Sequence, residues 1–500
     1  MEKIAVVEMK ANELVMNLAQ VQKNKSYVIY KEVSMPVKVA KDLEKDELLK
    51  QNIIKEIISV LEVFKQLADK EGVVDTIAIA SNVLKKAKNL NGFLNEVQSK
   101  TSFKFNILEA EEEMNYSYMA TINSFNKPKG LMVNISDYNV ELMLFNRRNV
   151  LESRVLPFGV ISLAEQFPLD QEGNNEKMLN YLKEQVADIN WAFDLEEEFN
   201  IIGTGQVFRD LGQVSRRARR YPIDVEHNYT MNMNDFNKVY DVVKQVDFSK
   251  PRKIKGVVSN PAYLMAGLNI ISVIFNKANR DELSISKLGV KEGLILNYAI
   301  PLTLEKPISD NLGYSLQVIN EYYDKEANNS EQIYNLSMIL FKQLKVLHKL
   351  GRNYVRVLRV ASYLQNVGYR VNYSNVNRNA FDIILNSEIY GVTHSELVLA
   401  CFTCLLVDPD NFTPAMWVKY KDLVTDEDLE AIKKLAVMLR IAKSLDVTEF
   451  GNITDITCDI LGDSVIMKTV SDKNVDFEVK HAMRWGGDFK KAFGKNLEIL

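Results

Sequence analysis

Cysteine and histidine are scarce in this sequence of 500 residues. The three cysteines, Cys401, Cys404 and Cys458, form an odd and sparse set, which argues against a disulfide framework and favours a reducing cytoplasm. Only four histidines occur, so a metal centre built from several histidines is hardly possible. We therefore expect a cytoplasmic protein without such a centre.

Long apolar runs and an excess of one charge are also absent. The longest apolar stretches, such as Ile270–Phe275, are far too short to cross a bilayer, and the N-terminus lacks the apolar core of a signal peptide. The chain has 62 Lys and Arg residues against 66 Asp and Glu residues, which gives a net charge of −4. The overall charge therefore does not attract nucleic acid or anionic lipid. These absences predict no membrane and no nucleic-acid partner, and any anion site must be local.

A repeated α/β pattern fills the first part of the chain, whose total length predicts three or four domains. Three strand-like stretches precede an amphipathic helix near the N-terminus, and the same pattern restarts at about residue 131. Val7–Leu14 matches Val133–Val140 in pattern, though hardly in identity. Two β-β-β-α-β-α units in tandem predict a pseudo-symmetric α/β pair with a cleft between its halves. Two unrelated α/β domains are the alternative.

The second part of the chain has a different texture. Helical periodicity dominates from about residue 307 to residue 450. The last stretch is predicted to form strands over Thr454–Ile460, Ser464–Val470 and Val475–His481, then a helix over Asp488–Phe493 that ends at Gly494. The predicted domains are residues 1–126 and 127–305 (two α/β subdomains), 306–447 (helical) and 448–500 (small α+β).

Six short motifs follow one another in a fixed order along the chain. They are ASNVLKKAKN (80–89), ILEAEEE (107–113), IGTGQVFRDL (202–211), VKEGL (290–294), LAVMLRIAKSLD (435–446) and KAFG (491–494). Together they resemble the exopolyphosphatase / guanosine pentaphosphate phosphohydrolase (Ppx/GppA) family over essentially the whole chain. The resemblance implies a duplicated actin-like (sugar-kinase) fold, an all-helical HD-like domain, a small C-terminal α+β domain and a homodimer.

Both phosphate-binding turns of that family are altered in this chain. The family pattern DLGSNS is EMKANE here, where only Asn12 survives, and DIGGGS has become NISDYN, in which Asp137 and Tyr138 replace glycines. Glycine lets backbone N–H groups approach a phosphate closely, and Asp137 would face phosphate oxygens. Two like charges 4 Å apart repel by ~1 kcal/mol in water and ~4 kcal/mol near a protein surface. We predict two ordinary hairpin turns that have lost the phosphate cradle.

Some residues of this chain match catalytic positions of the family. Glu112 or Glu113 matches the glutamate that acts as general base on water in active members, although an acidic first helical turn favoured by the helix dipole is the alternative. Lys85 replaces a family arginine, so it keeps the positive charge but cannot donate the two parallel hydrogen bonds of a guanidinium. Ser162 replaces a second family arginine.

Other candidate ligand-binding residues lie beside the predicted cleft. Gly203, Thr204 and Gly205 keep a loop able to approach a ligand's sugar or base. Arg216 and Arg217, which belong to a cluster that runs to Arg220, form either a solvated helix face or an anion or partner site.

The helical domain lacks the ligands that HD phosphohydrolases use. The resemblance places Gln365 and Asn366 at the His-Asp pair, and Val376, Asn377 and Asn379 at further ligand positions, so we predict no metal there. His348 is predicted to be a packing histidine and His394 a loop or cap residue. The C-x-x-C pair Cys401 and Cys404 is predicted to be buried and structural.

The sequence thus predicts a family member that is catalytically weak or inactive and acts as a binding or regulatory protein, with no cofactor and with a nucleotide or polyphosphate as possible ligand. The alternative is an active hydrolase that uses Mg²⁺ and releases terminal phosphate from polyphosphate or guanosine pentaphosphate.

Overall fold

The chain divides into two compact units in the computed structural model, which describes residues 1–37, 39, 43, 47–192, 199–250, 254–300, 308–323 and 329–500. Unit 1 comprises Met1–Arg220 and Glu226–Ser309, and unit 2 comprises Tyr221–Val225 and Asp310–Leu500. None of the described helices is long and apolar enough to span a membrane.

The first sheet of unit 1 has the strand order β3-β2-β1-β4-β5, in which β1, β2 and β3 are antiparallel and β4 and β5 run parallel to β1. Its elements are β1 (Glu2–Met9), β2 (Glu13–Val21), β3 (Tyr27–Pro36), α1 (Gln51–Glu71), β4 (Asp75–Ala80), a 3-10 helix (Asn82–Lys86), α2 (Leu90–Thr101), β5 (Phe105–Ile107) and α3 (Ala110–Ile122). Ala5 and Val7 of β1 pack with α1 and α2, whereas Ile4 and Val6 face the opposite side of the sheet. Both faces are therefore covered, which explains the continuous apolar run in β1.

The second sheet of unit 1 has the order β10-β11-β9-β6-β7-β8. Its elements are β6 (Lys129–Ile135), β7 (Val140–Asn146), β8 (Asn149–Leu156), α4 (Val160–Gln166), α5 (Asn174–Gln185), a 3-10 helix (Asn190–Ala192), β9 (Asn200–Thr204), α6 (Gln206–Ala218), β10 (Tyr229–Asn232), α7 (Met233–Lys244), α8 (Pro261–Ala278), β11 (Glu282–Ile285) and α9 (Val290–Ala299). Met9 pairs with Leu14 in the first sheet, and Ile135 pairs with Val140 in the second. The two hairpins therefore turn at matching positions, which confirms the repeat predicted from Val7–Leu14 and Val133–Val140.

Helix α3 connects the cores of the two halves. Tyr116 packs with residues of α9 against the first sheet, while Met114 and Tyr118 pack against Met132 and Met143 of the second sheet. Helix α3 thus packs against both sheets of unit 1.

Unit 2 is helical and carries a small three-stranded sheet of order β12-β13-β14. Its elements are α10 (Asn311–Tyr323), α11 (Ser330–Gln343), α12 (Lys345–His348), α13 (Asn353–Leu364), 3-10 turns (Val367–Arg370 and Tyr373–Asn375), α14 (Val376–Leu385), α15 (His394–Leu405), a 3-10 turn (Pro409–Asn411), α16 (Pro414–Val418), α17 (Asp426–Leu445), β12 (Asp455–Ile460), β13 (Ser464–Val470), α18 (Asp476–Met483), α19 (Gly486–Phe493) and β14 (Asn496–Ile499). The helix predicted over Asp488–Phe493 is confirmed, and Gly494 ends it with φ +71°.

The strand predicted over Val475–His481 is wrong, because this segment forms helix α18. Its apolar residues alternate, which suggested a strand, but the buried positions are Glu478 and Ala482, one helical turn apart. The Asn474 side chain accepts a hydrogen bond of 3.0 Å from the Asp476 N–H, which turns the chain into the helix. The third strand of the sheet is β14 at the end of the chain.

Candidate functional site

The two hairpin turns of unit 1 are ordinary four-residue turns. The Lys10 N–H donates to the Glu13 carbonyl at 2.8 Å, and the Ser136 N–H donates to the Asn139 carbonyl at 3.0 Å. All eight turn residues are described, and none of them has a positive φ. The prediction of ordinary turns is confirmed, since neither uses the left-handed conformations that glycine-rich anion loops exploit.

Backbone donors around the second turn bind the chain itself. The N–H groups of Val160 and Ile161, at the start of α4, donate to the carbonyls of Ser136 (3.1 Å) and Asp137 (2.9 Å). The Asn139 N–H donates to the Ser136 hydroxyl at 3.1 Å. Ser162, at the position of a family arginine, accepts from the Gly159 N–H at 2.9 Å and caps α4. These N–H groups therefore already donate to acceptors within the chain and do not point at an anion.

Tyr138 fills the space between the two turns. Its ring packs against Ala11 of the first turn and Val83 of the 3-10 helix, and the Lys86 ammonium lies 5.3 Å from the ring centroid. The carbonyl of Asn12, the residue that matches the family, accepts a 3.0 Å bond from the Val37 N–H. At position 138, an aromatic side chain thus covers backbone that the glycine of the family pattern would leave accessible to a ligand.

The structure separates the two candidate bases on α3. Glu112 is exposed, and its carboxylate accepts a 2.8 Å bond from the Glu109 N–H, so it caps the helix. Glu113 points inward, and burial together with the charges of Glu141, Glu8 and Asp137 raises its pKa from 4.5 to about 8. The capping alternative therefore describes Glu112, while Glu113 belongs to a cluster of carboxylates.

Glu141 is a member of this cluster that the sequence analysis missed. Its side chain is fully buried, one carboxylate oxygen accepts a 2.8 Å bond from the Asn134 amide, and the other has no hydrogen-bond partner in the described part of the chain. Burial raises its pKa to about 7. A glutamate inside the otherwise apolar buried run Val140–Phe145 was the available signal.

Lys10 partly balances these acids. Its ammonium lies 3.3 Å from Glu8. Burial raises the pKa of Asp137, and the charge of Lys10 opposes that shift. Three other carboxyl groups, those of Glu8, Asp137 and Glu141, still lie close enough to Glu113 to act on its charge.

The cluster can be tested as a Mg²⁺ site from its donor atoms. In the described ranges, no three or more His, Cys, Asp or Glu side chains are grouped so that they could hold a metal ion. Mg²⁺ needs fewer protein ligands, because it retains waters and binds through one or two carboxylates and substrate phosphates. The unpartnered oxygen of Glu141 fits one such ligand, and Glu8, which like Glu141 acts on the charge of Glu113, is a second candidate.

The other predicted ligand-binding residues contact the chain itself. Lys85 forms an ion pair with Glu109. A Cβ on Gly203 would lie 2.1 Å from the Phe208 ring, and Gly205 has φ +103° with Ile135 O 2.4 Å from an added Cβ, so both glycines are required by close packing. The Thr204 hydroxyl donates to the Leu288 carbonyl at 2.6 Å.

Three arginines of the Arg216–Arg220 cluster bind groups within unit 1. Arg216 lies over the Tyr229 ring and donates to Gln213 at 2.9 Å. Arg217 donates to the Lys255 carbonyl, and Arg219 forms a 2.9 Å ion pair with Asp235. These contacts hold the last turn of α6 and the residue after it against neighbouring parts of unit 1, and an anion or partner site at the cluster stays a prediction.

Among the five positions matched to metal ligands in unit 2, Asn366 and Asn377 form internal hydrogen bonds, whereas the buried amide of Gln365 has no hydrogen-bond partner in the described part of the chain. Asn366 accepts from the Lys443 ammonium at 2.9 Å, and Asn377 donates to the Cys404 carbonyl at 2.8 Å. The imidazole of His348 bonds the Phe341 carbonyl (2.7 Å) and accepts from the Leu350 N–H (2.8 Å), which confirms a packing role. Cys401 and Cys404 are buried free thiols, as predicted, and burial raises the pKa of each.

We predict that Glu113→Gln stabilises unit 1 in alkaline buffer. The folded-state pKa of Glu113 is raised, so its contribution to stability is fully present below pH 4.5 and is lost as pH rises to about 8. The amide carries no charge, and the variant should melt roughly 5 °C above wild type at pH 9 and close to it at pH 5. Calorimetry over this range measures the effect. The matched control Glu112→Gln should show no such dependence, and a control that behaved like Glu113→Gln would contradict the assignment.

Comparisons with known proteins agree with the fold. The sequence models of the Ppx/GppA phosphatase family and of Ppx/GppA phosphatase, domain III, match residues 18–300 and 314–482. The chain is similar to the bifunctional 3-dehydroquinate synthase/phosphatase of Fusobacterium nucleatum (21% identical over 310 residues, 58% of this chain and 46% of that protein). It is also similar to retrograde regulation protein 2 of Saccharomyces cerevisiae (25% over 268 residues, 49% and 45%) and to exopolyphosphatase 1 of Mycobacterium leprae (19% over 248 residues, 48% and 73%). The match spans less than half the length of the first two relatives.

Solved structures show the same α/β fold. A Ppx/GppA family member from Aquifex aeolicus superposes with a TM-score of 0.53 at 20% identity, covering 60% of this chain and 98% of that one. An exopolyphosphatase from Cytophaga hutchinsonii superposes with a TM-score of 0.55 at 16% identity, covering 61% and 99%. Because the first family match alone spans more than half of the sequence, the chain belongs to the Ppx/GppA phosphatase family.

Proposed function

We propose that this chain is a binding or regulatory member of its family that hydrolyses phosphoanhydrides weakly or not at all. The observation that carries the proposal is the second hairpin turn. Tyr138 packs there against Ala11 and Val83, and the neighbouring N–H groups donate to the turn's own carbonyls. Phosphoryl transfer depends mainly on donors that hold the phosphate in line, and losing one preorganised donor typically costs about 10²–10³ in rate.

The state of Glu113 supports the same proposal. Burial and neighbouring carboxylates raise the pKa of Glu113 to about 8, so this carboxyl is mostly protonated at pH 7, and the protonated form cannot accept a proton from water. The charges of Glu141, Glu8 and Asp137 that raise this pKa would also repel a chain of phosphates. One curated relative is named a regulation protein, and two others are named for phosphatase activity. The family resemblance is therefore compatible with either role.

Phosphate release from long-chain polyphosphate with Mg²⁺ tests the proposal. Wild type, Glu113→Ala and the matched control Glu112→Ala should all release phosphate at the rate of the protein-free blank. Rapid release by wild type that is lost in Glu113→Ala and kept in Glu112→Ala would overturn it, since Glu112 only caps α3.

The second candidate is an active hydrolase of polyphosphate or guanosine pentaphosphate. It is favoured by one observation, the buried and unpartnered oxygen of Glu141 beside Glu113. Mg²⁺ held by Glu141 and Glu8 would neutralise phosphate charge. A positive charge there would also lower the pKa of Glu113 and allow it to take a proton from water.

The proposal extends to assembly and location. We propose a cytoplasmic homodimer, supported by the family resemblance and by the sparse cysteines. Light scattering at micromolar concentration tests the dimer, and a monomer mass of 57.2 kDa would overturn it.

A further inference from the structure

Unit 2 contains a surface cavity of about 300 Å³ that has no part in the hairpin turns of unit 1. Its walls are the segment Tyr221–Val225, helix α14 and the stretch of chain from α16 to Tyr420, all of which belong to unit 2. This volume lies at the lower end of the range found for small-molecule sites. The cavity therefore suits a compact ligand.

The buried part of the cavity lining is apolar and well packed. Ile223, Phe381 and Tyr420 belong to the core of unit 2, and the ring centroids of Phe381 and Tyr420 are 6.4 Å apart. The Tyr221 hydroxyl lies 2.9 Å from Nδ1 of His394, which anchors the segment that carries Ile223. An apolar group of a ligand would thus contact a preformed surface, which lowers the entropy cost of binding.

Two cations lie over these two rings. The Arg378 guanidinium is 5.8 Å from the centroid of the Phe381 ring and donates to the Met416 sulfur at 3.3 Å. The Lys419 ammonium is 5.2 Å from the centroid of the Tyr420 ring. Both cationic side chains are exposed, so they can meet a ligand without a change in the core.

Two carboxylates complete the charged part of the lining. Asp382 lies one helical turn after Arg378 on α14, 3.6 Å from its guanidinium, and Asp224 follows Ile223 in the anchored segment. Within the described ranges, neither Lys419 nor Asp224 forms an ion pair. The lining is therefore neutral overall, yet it presents one cation and one anion that no opposite charge of the protein compensates.

We propose that this cavity binds a small zwitterion with an apolar side chain, which is the chemistry of a free apolar amino acid. The carboxylate of the ligand pairs with Arg378 and Lys419, its ammonium pairs with Asp224 and Asp382, and its side chain packs on the two rings. A phosphate chain is disfavoured, because the two aspartates would repel it. The inference goes beyond the proposed function and does not depend on it, since that function rests on the hairpin turns of unit 1.

Calorimetric titration of the full-length protein with L-leucine and L-phenylalanine tests the proposal, and thermal shift gives a second readout. Each amino acid is compared with the amine that lacks its carboxylate (isoamylamine or phenethylamine) and with the acid that lacks its ammonium (isocaproate or hydrocinnamate). Each analogue should bind about tenfold or more weakly, because one charged group of the pair is missing. Glycine should also bind about tenfold or more weakly, because it has no side chain to bury.

Variants of the charged lining locate the site. Arg378→Met should weaken binding of the amino acid about tenfold or more, and Asp382→Asn about threefold or more. The matched controls are Lys433→Met and Glu430→Gln, which alter an ion pair that also spans one helical turn, on α17 and away from the cavity. The Lys433 side chain is 46% exposed, as is that of Arg378. Both control variants should leave binding unchanged, and melting without ligand checks that all four variants fold.

Tighter binding of leucine supports a site for an aliphatic side chain, and tighter binding of phenylalanine supports a site for an aromatic one. Binding of neither amino acid overturns the proposal, as does binding that Arg378→Met and Lys433→Met reduce equally. An acid or an amine that binds as tightly as its parent amino acid overturns the zwitterion as ligand class. The phosphate-release assay judges the proposed function separately, because it is run without an amino acid.

Discussion

Alanine at Gly293 is expected to destabilise unit 1 by about 1–3 kcal/mol, because helices α3 and α9 touch backbone to backbone at this glycine. A Cβ added there would lie 2.1 Å from the Tyr116 carbonyl oxygen and 2.7 Å from its carbonyl carbon. Backbone atoms cannot rotate away as a side-chain tip can, so α3 must shift. Glu113 is one turn from Tyr116 on the same helix, and the shift should also change the pH dependence of stability.

Gly92→Ala in α2 is the matched control. A Cβ at Gly92 meets nothing within 4 Å. Alanine in an exposed helix interior is roughly 0.5–1 kcal/mol more favourable than glycine. Calorimetry should therefore show opposite signs for the two glycine-to-alanine changes, and a stabilising Gly293→Ala would show that α3 and α9 are packed more loosely than the structure has them.

The hairpin repeat could be predicted from sequence because strand pairing has a period of two, and turn position follows from that period. The structure has the predicted turn positions, because Met9 pairs with Leu14 and Ile135 pairs with Val140. The same period gave a wrong prediction at Val475–His481, where the alternating apolar residues predicted a strand but lie on a helix. An alternating pattern seven residues long does not by itself separate a strand from a helix, and the polar start at Asn474 decided the outcome.

The chemistry of the site could be predicted only in part. Neighbouring glutamates in α3 could not be ranked from sequence, because the choice depends on which of them reaches back to the Glu109 N–H. Glu141 was identifiable in principle from its apolar surroundings. The contact between Lys291 of α9 and Glu32 of β3 was not, since it depends on how two elements far apart in the sequence meet in space.

The second large effect on stability is expected where the C-terminal segment packs against the helices of unit 2. Arg440 of α17 is nearly buried and pairs with Asp488 of α19 at 3.0 Å. The same guanidinium donates to the Leu406 carbonyl and lies 5.0 Å from the Trp485 ring. Burial lowers the pKa of Arg440, and the charge of Asp488 opposes that shift. The ion pair therefore joins the end of the chain to the helical core.

We expect Asp488→Ala to lower the stability of unit 2 by about 3 kcal/mol, because it leaves the Arg440 charge buried without compensation. The matched control is Asp459→Ala, which breaks a 2.7 Å pair with Lys468 whose two side chains are each more than half exposed. An exposed pair contributes about 0–1 kcal/mol. Calorimetric melting of the full-length protein compares the two, and equal losses would contradict the buried-charge argument. The double variant Arg440→Met with Asp488→Ala removes the uncompensated charge and should melt above Asp488→Ala alone, since methionine fills much of the same volume without a charge to desolvate.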